Sequence, residues 1–365
     1  MMQVLILGGY GNFGKRIAQL LTRAGVAVIV EGRQVAKADD LAKALPSGLA
    51  EAAAFDVGAD LTRQLKVLRP RVVINTCGPF QNADYGIARA CIAVGIHYID
   101  LADGRDFVTG ITQLDADARK QNVAVISGAS TVPTLTAAVI DHLRPRFAEL
   151  DSLTFGIAPG QKAERGLATT QAILSYVGKR LLPYAGYGNC YGWQDLYVQS
   201  YPEIGRRWMA NCDVPDLDLL PARYGIKRIR FSAGMENSAV HLGLWLMSWG
   251  IRLGLPIDLP RHAPLLLAAS HWFDFFGSVD GGMHLILAGK DRAGRRALAK
   301  WFIVAFDGDG PYIPTIPSVI MVKRMLAGET FAAGAMPCVG MITLQEYLDE
   351  LKMFNIKTYD CDESD

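Results

Sequence analysis

Val4-Leu5-Ile6-Leu7-Gly8-Gly9-Tyr10-Gly11-Asn12-Phe13-Gly14 is the stretch that decides the architecture. A short apolar run predicts a buried strand. Apolar residues then recur at 13, 17, 20, 21 and 24, the spacing of a helix, and Gly25 stands where a helix C-cap is needed. Between strand and helix, Gly9, Gly11 and Gly14 form G-x-G-x-x-G. In that context each glycine has a physical reason. Gly9 allows a tight turn, Gly11 lets a pyrophosphate approach the backbone, and Gly14 lets the helix pack on the strand. The exposed N–H groups of Tyr10, Asn12 and Phe13 and the helix dipole are then expected to hold the anion.

The alternation continues outward. Val26–Val30, Ala52–Val57, Val72–Ile74, His97–Leu101 and Val123–Ile126 read as strands, separated by helical spacing at Ala36–Leu45, Leu61–Leu68, Tyr85–Val94 and Gly110–Gln121. Strands and helices in this order predict an α/β fold, a Rossmann-type doubly wound parallel sheet over residues 1–128. A second, α+β domain for substrate binding and dimerisation is expected over 129–334, with helices at Thr136–Leu143, Ala168–Arg180 and Val319–Leu326 and strands at Ser152–Ile157, Met283–Leu287 and Trp301–Phe306; a further helix is expected beyond it at Leu344–Leu351. The tyrosine-rich stretch 184–201 reads as aromatic packing, with a lid over a ligand as the alternative. Residues 238–276 are apolar on all sides, the pattern of a buried helix or an oligomer interface. Lys290–Lys300 reads as a solvated turn and helix face, and Asp360–Asp365 as a solvated tail.

Composition bounds the function. The 365 residues carry 37 Lys plus Arg against 36 Asp plus Glu, a net charge of +1, which argues against a duplex nucleic-acid binder. Half the residues are apolar, enough for a large core. Cysteines at 77, 91, 190, 212, 338 and 361 lack metal-knuckle or redox spacing and read as reduced thiols of a cytoplasmic protein. The six histidines form no His-x-x-x-His pair, so no metal is assigned. No signal peptide is expected, and no run reaches the ~18 apolar residues of a spanning helix.

The second strand ends Val30-Glu31-Gly32-Arg33. Gly32 falls where NAD enzymes place a ribose-binding acid; a small residue there leaves space for a 2′-phosphate, and Arg33 can grip it. This favours NADP, with NAD open, because a one-residue shift makes Glu31 the acid. Asp56, ending the third strand, is placed near the adenine, or as a simple cap. No tyrosine has a lysine four residues on, so the Tyr-x-x-x-Lys apparatus of short-chain reductases is absent.

Asn75-Thr76-Cys77-Gly78-Pro79-Phe80 follows the fourth strand, and Gly95-Ile96-His97-Tyr98-Ile99-Asp100-Leu101 carries the fifth. With the glycine loop, and with Ser127-Gly128-Ala129-Ser130-Thr131-Val132-Pro133 leading into a helix, this resembles the saccharopine dehydrogenase/reductase-like family over roughly residues 3–145. Ala102-Asp103-Gly104-Arg105-Asp106 departs from that family's commoner Gly-Glu. The resemblance implies a two-domain oxidoreductase with a nicotinamide nucleotide along the carboxyl ends of the strands and a small-molecule substrate toward the second domain. It also implies a homodimer, a last segment near 335–365 that returns to the nucleotide domain, and chemistry at a C–N bond of an amino-acid-derived metabolite. The residues add detail. Thr76, Cys77, Gly78 and Pro79 are placed beside the nicotinamide, with Asn75 offering further hydrogen bonds. Tyr98 and Asp100 share a strand face and are the candidate catalytic pair. The alternative is structural: Tyr98 in the core, Asp100 capping a helix or binding a backbone N–H. Two other functions stay in view, a catalytically silent nucleotide-binding sensor or scaffold, and a reductase acting on a lipid-like substrate at a membrane surface.

Overall fold

The computed structural model describes residues 3–46 and 48–363. The chain divides into two compact units, one of Met1–Leu135 and Tyr312–Ile342, the other of Thr136–Pro311 and Thr343–Asp365.

The first unit is built on seven strands, β1 (Gln3–Leu7), β2 (Ala27–Glu31), β3 (Ala50–Ala53), β4 (Val72–Asn75), β5 (His97–Asp100), β6 (Ala124–Ser127) and β13 (Gly334–Pro337). All pair in parallel, in the order β13-β6-β5-β4-β1-β2-β3. Helices α1 (Asn12–Arg23), α2 (Val35–Ala44), α3 (Val57–Leu68), α4 (Gly86–Ala93), α5 (Arg105–Gly110) and α6 (Asp115–Lys120) connect successive strands. The sheet's alternating residues explain why both faces need cover. Leu5, Leu7, Ile29, Val73, Tyr98 and Val125 form one face and pack with Leu61 and Leu65 of α3 and Cys91 and Ile92 of α4. Val4, Ile6, Val28 and Val30 take the other and are equally buried. Gly25, at φ +77, turns α1 into β2.

The second unit holds a mixed sheet, β14-β12-β11-β7-β10-β9-β8. Its strands are β7 (Glu149–Ala158), β8 (Tyr197–Tyr201), β9 (Gly205–Asn211), β10 (Arg228–Met235), β11 (Gly281–Lys290), β12 (Arg296–Ala305) and β14 (Ile356–Glu363), and only β7 and β10 run parallel. Its helices are α7 (Thr136–Leu143), α8 (Leu167–Ser175), α9 (Asp216–Tyr224), α10 (Ser238–Arg252), α11 (Ala263–Ser270) and α13 (Leu344–Leu351). Helix α12 (Ile316–Leu326) belongs to the first unit and packs beside α1. In the aromatic stretch, Trp193 is fully buried among Leu174, Val177 and Leu244 and Tyr201 is buried beside Met209, whereas Tyr187 is exposed.

Several boundaries differ from the sequence reading. The returning segment is Tyr312–Ile342 rather than 335–365, because β13 completes the parallel sheet beside β6 while Ile356–Glu363 pairs antiparallel with β12. The acidic end is therefore a strand to Glu363 rather than a tail; Ser364 and Asp365 lie outside the described residues. The first unit runs to Leu135, past the expected limit at 128, since Thr134 donates to the carbonyl oxygens of Gly128 and Cys338. Most of the basic stretch 290–300 is hairpin rather than helix, with β11 and β12 meeting across the 291–295 turn. The segment 238–276 is helical but not enclosed: Leu246, Leu253, Leu265, Trp272, Phe275 and Phe276 are each more than 60% exposed.

Candidate functional site

The carboxyl edge of the parallel sheet gathers the loops where an open α/β fold binds its ligand. The glycine loop is dictated by backbone approach. A Cβ on Gly14 would stand 2.4 Å from the Gly8 carbonyl oxygen and 2.7 Å from Gly9 Cα; one on Gly9 would meet Val30 and the Ile6 carbonyl at 2.9 Å. Gly11 donates to the Gly8 oxygen at 2.8 Å and is the N-cap of α1, where no side chain caps the helix. The loop is thus a cradle beside an uncapped helix N-terminus, and these residues fit the pyrophosphate of a dinucleotide.

Glu31 fixes the loop from below. Its carbonyl accepts from Gly9 N at 2.7 Å and its carboxylate from Gly8 N at 3.2 Å. The side chain is buried, and burial raises its pKa to about 7 against the pull of the Gly8 amide and of Arg33. Arg33 is exposed one residue beyond Gly32. Gly32 is small for another reason than phosphate access: the Tyr10 ring lies where its Cβ would be, at 2.0 Å. Asp56 takes its capping role, its carboxylate accepting from Gly58 N at 2.9 Å at the start of α3. Beside it, a recess of about 560 Å³ is lined by Val57, Gly58, Leu61, Cys77, Ile87 and Ala90, among others. Its size lies within the range of small-ligand pockets.

At the end of β4, the Thr76 hydroxyl donates to the Leu7 oxygen at 2.8 Å, and Thr76 and Cys77 both stand against Gly8. Cys77 is exposed as a residue, yet burial of its thiol pushes the pKa up to about 12, which disfavours the thiolate. Gly78-Pro79 is a cis peptide, and Pro79 is exposed at the sheet edge. The structure thus brings Gly9, Tyr10, Gly11, Asn12, Phe13 and Gly14 to one edge with Thr76 to Pro79 and Arg33.

It does not bring Tyr98 and Asp100 to the surface of that edge. Both are fully buried. The Tyr98 hydroxyl accepts from Asn75 Nδ2 at 3.0 Å, while Asn75 Oδ1 accepts from Cys77 N, so Asn75 directs its hydrogen bonds inside the fold. Asp100 Oδ1 accepts from Ala102 N, Ser127 Oγ and Gly128 N at 2.8–3.0 Å. It pins the loops after β5 and β6 to each other. Burial raises its pKa to about 6, countered in part by the Gly128 and Ala102 amides and the Ser127 and Tyr98 hydroxyls. Burial of both groups and the loop donors on Asp100 Oδ1 favour the structural alternative for this pair over the catalytic one.

Another carboxylate, which the sequence does not single out, is tied to the loop after β4. Asp103, in the loop after β5, is half-buried and accepts from Gln81 Nε2 at 3.2 Å, which joins it to the cis-proline loop. Burial raises its pKa. The neighbouring Gly104 is required by that packing, since its Cβ would lie 3.1 Å from the Phe80 oxygen. The signal that could have found Asp103 is the departure at Ala102-Asp103-Gly104 from the family's usual residues. No cluster of metal-ligating side chains exists among the described residues.

Fold and edge together define a Rossmann-type nucleotide-binding unit joined to a mixed-sheet domain. Residues 4–131 match the family model of the saccharopine dehydrogenase NADP binding domain. Apo saccharopine dehydrogenase (L-Glu forming) from Saccharomyces cerevisiae has the same fold: TM-score 0.66, 14% identity, covering 99% of this chain and 100% of the yeast one. A meso-dapdh mutant with DAP from Clostridium tetani is less similar, with TM-score 0.48 and 12% identity over 97% of this chain and 99% of its own. No curated protein sequence is significantly similar. Among the described residues, no helix is long and apolar enough to cross a membrane.

Proposed function

We propose that this protein is an NADP-dependent oxidoreductase that transfers hydride at a C–N bond of an amino-acid-derived metabolite, working as a cytoplasmic homodimer. The observation that carries the reading is the cradle of Gly9, Gly11 and Gly14 before an uncapped helix, with the exposed Arg33 guanidinium at the end of the next strand. A bound nicotinamide dinucleotide supplies the hydride acceptor or donor. The protein's part is to hold and orient. The loop amides bind the pyrophosphate, Arg33 takes the 2′-phosphate as a charge-assisted pair, and Thr76 to Pro79 present a low, flat edge for the ring. Asp103 holds its proton to higher pH than a free aspartate, which suits a group that orients an amine or passes it a proton.

The test is nucleotide affinity of the purified chain and of Arg33→Ala, followed by a screen of imines and secondary amines. Loss of a charge-assisted contact is expected to weaken NADPH by roughly 10–100-fold and leave NADH within about twofold. Equal loss of both nucleotides would sink the NADP assignment. A second reading, a nucleotide-binding sensor without turnover, is supported by the burial of Tyr98 and Asp100. NADPH binding with no hydride exchange across the screen would favour it. Apolar exposure along α10, α11 and residues 271–276 supports the dimer, and liposome binding by the purified chain would favour the lipid-surface reductase instead.

A further inference from the structure

One contact of the glycine loop serves neither the turn nor the pyrophosphate. Tyr10 lies between the first two glycines of the motif, yet its side chain crosses to the turn after β2. Its hydroxyl accepts from Gln34 N at 3.1 Å, and its ring covers Gly32, whose Cβ would stand 2.0 Å from Cε1 and 2.6 Å from Cζ. Gly32 has no left-handed φ to explain it, so the approach of the ring is what requires a glycine here. Gln34 is the N-cap of α2 and makes no side-chain cap, and Arg33, immediately before it, is exposed. The end of β2 is where dinucleotide folds meet the 2′ position of the adenosine ribose. One oxygen of the buried Glu31 carboxylate, Oε2, accepts from the Gly8 amide on the loop side. A 2′-substituent arriving here meets the exposed Arg33 and the Gln34 N–H, and the Tyr10 hydroxyl already holds that N–H.

We propose that Tyr10 is a specificity-determining residue that competes with the 2′-phosphate of NADP for the Gln34 amide. NADPH must break the Tyr10–Gln34 hydrogen bond, whereas NADH, with only a hydroxyl at that position, leaves it in place. Arg33 attracts the phosphate and Tyr10 opposes it, so the balance between the two nucleotides is set by a pair of residues from neighbouring loops. The proposal rests on the dinucleotide reading above.

The experiment is titration of NADPH and NADH, followed by their own fluorescence, into the full chain and Tyr10→Phe. Phenylalanine keeps the ring over Gly32 and removes the competing hydroxyl. NADPH is expected to tighten on the order of fivefold, the worth of one net hydrogen bond, with NADH changed by less than about twofold. An unchanged NADPH/NADH ratio, or weaker NADPH in the variant, would overturn the proposal; weaker NADPH would mean that the hydroxyl serves the phosphate. Should Tyr10→Phe not fold, Tyr10→Leu keeps apolar cover on Gly32 without a hydroxyl and is read by the same ratio. If folded wild-type chain binds neither nucleotide, the dinucleotide reading falls and the proposal with it. If it binds both, the ratio in the variant decides the proposal alone.

Discussion

The two seven-stranded sheets solve the same burial problem with opposite reach along the chain. In the parallel sheet, β1 to β6 arise from consecutive strand–helix units, and only β13 comes from far away. In the mixed sheet, β7 pairs with β10 and β11, and β12 pairs with β14, over gaps of dozens of residues. Each unit also buries a carboxylate completely, Asp100 in the first and Asp216 in the second. Asp100 is held by two amides and two hydroxyls and its pKa rises only to about 6; Asp216, helped chiefly by Thr136, rises to about 7. In both cases burial raises the pKa and hydrogen bonds to the carboxylate oppose it, with more donors at Asp100 than at Asp216.

That contrast can be broken at its strongest point first. Gly14→Ala places a Cβ 2.4 Å from the Gly8 oxygen, and the loop cannot relax without losing its cradle. Loss of dinucleotide binding by about 100-fold or more is expected from calorimetric titration, with a stability cost of about 1–3 kcal/mol. Retained affinity would mean that the loop is only a turn.

The buried carboxylates sharpen the comparison through pH. Both native pKa values lie above the unfolded value, so each group's stabilising contribution is complete below about pH 4 and is lost as pH rises, through about 6 for Asp100 and about 7 for Asp216. Urea melts from pH 4 to 8 should show Asp216→Asn removing the higher-pH part of this decline and gaining on the order of 1–3 kcal/mol at pH 8. Asp100→Asn should flatten the lower part with little gain, because its amide nitrogen faces donors. An unchanged slope in either variant would remove that group from the account.

Tyr98→Phe tests the structural role of the fifth strand against the catalytic one. Removing the hydroxyl that accepts from Asn75 should cost about 1 kcal/mol in chemical denaturation and leave NADPH affinity within about twofold. A collapse of turnover at unchanged stability would return Tyr98 to the catalytic machinery. The smallest effect is at the apolar face of the second unit. Trp272→Ser, at a side chain 84% exposed, should change stability by less than about 0.5 kcal/mol while shifting the mass of the proposed dimer in light scattering toward monomer. A wild-type chain that is monomeric would overturn the proposed dimer, and an unchanged mass in the variant would remove this face from it.

The sequence by itself determined the parallel sheet, the glycine loop and the edge after β4. These are local: a strand of four apolar residues, a turn only glycine permits, and a helix of period 3.6 lie close together along the chain, and each leaves its periodic mark. Three features stayed out of reach because they depend on which distant backbone closes on which. Gly32 looked like space for a phosphate until the Tyr10 ring filled it. Tyr98 and Asp100 share a strand face as expected, but alternation does not tell whether that face ends in solvent or beneath another loop, and here Gly128 and Ala102 cover the carboxylate. The acidic end read as a tail because charge predicts solvation, while a strand edge at β12 supplied backbone partners that charge does not reveal. Tertiary structure decided these points because hydrogen-bond donors and steric exclusion act across space, whereas periodicity records only neighbours along the chain.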